Sequence, residues 1–107
     1  MLELVGLDHI VLRTARLAPM LDFYCGVLGC VIERETSLDL GLTQLRAGAA
    51  LIDLVAVDSK LGRVGGEPPT ASGNNLDHFC LQLNPLSEKA ILGHLNEHGI
   101  KFGEFAS

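Results

Sequence analysis

A chain of 107 residues with 48% hydrophobic content fits one small globular domain that can bury a core of its own. The formal charge of −5 comes without any basic patch or stripe, which argues against binding a phosphate backbone and excludes nucleic acid as a partner. No stretch approaches the roughly 20 apolar residues of a membrane helix, and no basic leader with an apolar signal core precedes the first strand, so a soluble, cytoplasmic protein is expected.

In chain order, residues 5–13 read as a buried strand, with β-branched residues and leucines on both faces. Pro19 suits the first turn of a helix whose Met20, Phe23, Tyr24, Val27 and Leu28 recur at helical spacing, and Gly29 closes it. Residues 30–36, 41–47 and 49–57 read as three more strands, the last two joined by a tight turn at Gly48. The sum is one βαβββ unit over residues 4–57. Residues 58–74, rich in Gly, Pro and Ser, read as a linker without regular structure. Residues 75–83 read as another strand. A helix capped by Asn84 or Ser87 then runs to His98, with Gly99 as its stop, and residues 100–105 start a further strand. This second unit, residues 75–107, is incomplete against the first. The expectation is that the functional polypeptide continues beyond Ser107, or that a partner subunit covers the open edge.

Both units begin with the same word: Leu7-Asp8-His9-Ile10 and Leu76-Asp77-His78-Phe79, 69 residues apart. Its recurrence within matching strand and helix patterns points to an internal duplication that makes His9 and His78 equivalent. Equivalent positions meet near a pseudo-two-fold axis, so the two imidazoles could converge on one metal ion. Strand alternation puts Arg13 on the face of His9, and Cys80 on that of His78. Asp53 interrupts the otherwise apolar residues 50–55, and burial of a carboxylate demands a partner or a metal. Singly, each has an ordinary explanation: a hydrogen-bonded core or surface histidine, or an aspartate paired with Arg34 or Arg46. Arg13 could form a surface salt bridge and Cys80 could simply pack. Cys25, Cys30 and Cys80, an odd set without a CxxC pair, read as reduced thiols, the first two as small packed hydrophobes.

These pieces resemble the vicinal-oxygen-chelate superfamily, which includes glyoxalase I, extradiol dioxygenases, methylmalonyl-CoA epimerase, fosfomycin-resistance and bleomycin-binding proteins. The resemblance is carried by Leu7-Asp8-His9-Ile10-Val11-Leu12, Phe23-Tyr24, Val27-Leu28-Gly29, Ala50-Leu51-Ile52-Asp53-Leu54, Leu76-Asp77-His78-Phe79, and His94-Leu95 through His98-Gly99-Ile100. It implies an α+β fold of paired βαβββ modules forming a U-shaped mixed sheet around a divalent transition metal (Zn, Ni, Fe, Co or Mn). It also implies His9, Asp53 and His78 as metal ligands, with a further acidic ligand expected beyond Ser107. The implied activity is metal-dependent lyase, isomerase or epimerase chemistry of the glyoxalase type on a small oxygen-rich metabolite. Asp53 would double as catalytic base, Arg13 and Cys80 would line the substrate cavity, and the protein would form a homodimer. The alternatives are an extradiol-type ring-cleaving dioxygenase, whose iron needs only two histidines and one carboxylate, and a metal-free ligand- or drug-binding resistance protein. One competing motif, His94-Leu95-Asn96-Glu97-His98, matches the H-x-x-E-H order of inverted zinc proteases. Histidines in a last helical turn are favoured by the helix dipole alone, and the protease reading is set aside.

Overall fold

A computed structural model describes residues 1–73 and 76–103. The chain divides into two compact units, Met1–Asn75 and Leu76–Ser107.

In the first unit the alternating apolar runs fold into four strands, β1 His9–Thr14, β2 Val31–Glu35, β3 Leu42–Ala47 and β4 Ala50–Ala56. They form one mixed sheet in the order β1-β4-β3-β2, with β1 parallel to β4 and the other pairs antiparallel. A helix crosses between β1 and β2. It starts as α1, Leu17–Leu21, and widens over Asp22–Val27 into a π-helical stretch, where Leu28 N–H donates to the Phe23 carbonyl at 3.0 Å. Gly29 ends it at φ 81°, the left-handed conformation that a glycine adopts without strain. This is the α+β, βαβββ architecture expected from the sequence. The helical stretch contributes Tyr24 to the core, beside Leu45, Ile52 and Leu54 of the sheet. Leu45 and Ile52 are register partners, so both point to the same side, and β4 alternation adds Leu54.

Two boundaries differ from expectation. β1 begins at His9, because β4, its only neighbour among the described residues, starts at Ala50 and pairs His9 with Leu51; upstream, Leu4, Val5 and Leu7 are exposed. The segment 58–74 does contain regular structure: α2, Lys60–Val64. A strong cap offsets its Gly-rich composition. The Ser59 hydroxyl accepts from Gly62 N–H at 3.1 Å and donates to the Ala56 carbonyl at 2.6 Å. Gly62 is required here, since a Cβ would come within 2.0 Å of the Ala56 carbonyl oxygen.

The second unit contains α3, Glu88–Glu97, opened by Ser87, whose hydroxyl accepts from Ala90 N–H at 3.2 Å. Gly99 follows at φ 67°. The strand expected over 75–83 forms no ladder among the described residues 76–83, and the strand expected over 100–105 forms none in 100–103. Residues 75, 104 and 105 lie outside the described residues. Strands are held by pairing, and apolar alternation without a partner leaves an extended segment unassigned. Among the described residues, no helix is long and apolar enough to cross a membrane.

Candidate functional site

The parallel pairing of β1 with β4 decides which side chains meet. Val11 is the register partner of Asp53, and His9 lies two residues earlier on the same face. His9 Nε2 stands 3.9 Å from Asp53 Oδ2. That is too long for a hydrogen bond. It is short enough for both atoms to touch one ion, since transition-metal bonds to imidazole nitrogen and carboxylate oxygen are each about 2.0–2.2 Å. The two residues are 44 positions apart in sequence, so the sheet alone brings them together.

Neighbours orient both groups. His9 Nδ1 lies 2.8 Å from Asp8 Oδ2. An ionised carboxylate only accepts, so Nδ1 carries the proton and the Nε2 of neutral His9 presents a lone pair towards Asp53. The Asp8 hydrogen bond, reinforced by the charge of Asp53, raises the His9 pKa above its ordinary value of 6.5; partial desolvation opposes this. Asp53 is buried at 6% exposure, and its Oδ1 accepts a 2.9 Å hydrogen bond from Gln44 Nε2. This arrangement answers the question of what compensates a carboxylate inside an apolar strand: an amide on one oxygen and an imidazole facing the other. Arg46 is committed elsewhere, to Glu33 at 2.6 Å.

Gln44 is the residue that the sequence reading missed. The turn at Gly48 pairs Ala47 with Ala50, and three steps back along each strand reach Gln44 and Asp53. Following that hairpin register would have found it.

Arg13, expected to line the cavity, is on the His9 face but donates to three main-chain carbonyls, Gly62 at 3.2 Å, Gly66 at 2.9 Å and Glu67 at 2.7 Å. It thereby caps the C-terminal end of α2. Gly65 makes room for it, because a Cβ there would lie 2.8 Å from the guanidinium. A cleft of about 450 Å³, lined by Leu38, Asp39, Asp58, Ser59, Lys60 and Arg63, lies past the C-terminal end of β4 and contains none of the expected site residues. Cys25 and Cys30 are half-buried, and burial, with a smaller contribution from Cys25, raises the Cys30 thiol pKa.

In the second unit the shared word recreates the same local pair, with His78 Nδ1 against Asp77 Oδ2. Both side chains are exposed, as is Cys80, whose Sγ lies 3.8 Å from the Leu81 carbonyl oxygen. Among the described residues, no group of three His, Cys, Asp or Glu side chains is placed to hold a metal ion.

Comparison with known proteins gives one family. The model of the Glyoxalase/Bleomycin resistance protein/Dioxygenase superfamily matches residues 6–104. A search of curated proteins returns no significant match.

Proposed function

Because the chain belongs to the glyoxalase/bleomycin resistance protein/dioxygenase superfamily, we propose that it is a metal-dependent enzyme of the glyoxalase type, acting on a small molecule with neighbouring oxygens. The observation that carries this reading is the approach of His9 Nε2 to Asp53 Oδ2 across the β1–β4 pair, with Asp8 fixing the imidazole. His9, Asp53 and His78 would hold a divalent transition ion such as Zn, Ni, Fe, Co or Mn. When bound, that ion supplies Lewis acidity to the substrate oxygens.

The chain's own residues do the rest. Asp8 and Asp77 hold the two imidazoles by Nδ1, which leaves each Nε2 as the donor atom. Gln44 holds Asp53 by one oxygen and leaves the other towards the reacting region. Asp53 is the base that takes a proton from the carbon next to a substrate carbonyl and returns it. Arg13 and Cys80 are proposed on the substrate side. For Arg13, contact with an acidic substrate group would require release of the carbonyls of Gly62, Gly66 and Glu67. On this reading residues 4–57 are one module, residues 75–107 begin a second, and the protein works as a homodimer.

The test is metal-loaded protein given the hemithioacetal of a 2-oxoaldehyde and a thiol, in parallel with oxygen uptake on catechols. Isomerisation of the hemithioacetal that disappears in Asp53→Ala is the expected result. Oxygen consumption on catechols would replace it with the dioxygenase reading, and tight ligand retention without turnover would replace it with a binding protein.

A further inference from the structure

The H-x-x-E-H segment, set aside as a protease motif, has a geometry of its own in α3. His94 and His98 are four residues apart, and their ring centroids lie 4.7 Å from each other with the planes tilted by 54°. His98 is the C-cap residue of α3, and its N–H is shared between the His94 carbonyl at 3.3 Å and the Leu95 carbonyl at 3.2 Å, so the last turn of the helix spaces the two rings. Both residues are exposed.

The geometry points to a second metal site: His94 and His98 form a two-imidazole chelate on the solvent face of α3 for a borderline divalent transition ion. Three physical arguments support it. Two histidines at i and i+4 project from one helix face and can share one ion. Each metal–imidazole bond is about 2.0–2.1 Å, and rings whose centroids lie 4.7 Å apart are within the span of one ion. The site also lies at the C-terminus of a ten-residue helix, where the dipole favours positive charge. Imidazole donors select Cu, Ni and Zn over Mg and Ca. Because two protein ligands leave the remaining positions to water, this site exchanges its ion readily, unlike the strand centre proposed above.

Ni(II) is the probe, added to the full chain carrying His9→Ala and His78→Ala so that the strand centre cannot contribute. One equivalent binds, by titration calorimetry. His94→Ala or His98→Ala added to this background weakens binding by about tenfold or more, because either one removes the chelate. Ni(II) also slows amide exchange along α3, and it does so only when both histidines are present. This second readout concerns a helix whose capping by Ser87 neither substitution touches. Affinity that stays within about twofold of the background protein in both variants would overturn the site. Helix protection that persists in either variant would overturn it as well.

Discussion

The two Asp-His words of this chain are chemically alike and structurally unequal. In both, the aspartate side chain engages Nδ1 of the histidine that follows it. Among the described residues, only His9 sits on a paired strand, and only there is a third group visible, Asp53 delivered by β4. His78 lies in a segment without a ladder among the described residues. A dipeptide therefore sets the orientation of an imidazole locally, while a second ligand has to be supplied by a neighbouring strand. Sheet register is the step that turns a repeated word into a site.

The sharpest way to break this difference is to remove the sheet that creates it. Leu54 is fully buried beside Ile52 and Leu45, so Leu54→Ala should destabilise the first unit by about 2–5 kcal/mol. The midpoint of denaturant unfolding reads this directly. His9 should then lose the influence of Asp53 while the local Asp8 pair survives.

Cutting the strand-to-strand contact without unfolding the sheet should have a smaller effect. Gln44→Leu removes the amide that holds Asp53 Oδ1 and leaves a buried carboxylate oxygen without its donor, at a cost of about 1–3 kcal/mol. If Asp53 is a metal ligand, the same substitution should weaken metal binding by about 10–100-fold. Equilibrium unfolding and metal titration measure the two effects separately. Smaller again is the loss of the cap that starts α2, since Ser59→Ala should reduce stability by about 0.5–2 kcal/mol in the same unfolding assay.

The mildest probe is the titration of His9. NMR should find the His9 midpoint above 6.5, and Asp8→Asn should lower it more than Asp53→Asn does. The folded value exceeds the unfolded one. Protonated His9 therefore contributes stability below about pH 6.5, and that contribution fades as pH rises through the folded value. Metal binding runs the other way, because the ion needs neutral imidazole and must displace the proton.

Much of this was legible in the sequence. Strand and helix periodicity placed all four strands and the long helices, and Gly29 and Gly99 marked helix ends where φ is positive. Alternation put His9 and Arg13 on one face. What escaped depended on contacts between distant segments. The short helix α2 is hidden in a Gly-rich run because its stability comes from Ser59 and from Arg13, a residue on another strand. The carbonyl acceptors of Arg13 escaped for the same reason, since they come from residues 62–67. Gln44 required the hairpin register as well as the face. The apolar pattern of residues 76–83 suggested a strand, but pattern specifies only which face would be buried, and a ladder needs a neighbour.

The proposal that His9, Asp53 and His78 hold one metal ion is tested most directly by elemental analysis of the purified protein beside its His9→Ala, His78→Ala and His94→Ala variants. About one tightly retained divalent transition ion per chain is expected in the parent and in His94→Ala, and none in His9→Ala or His78→Ala. Metal retained undiminished in either of the latter two would contradict the account.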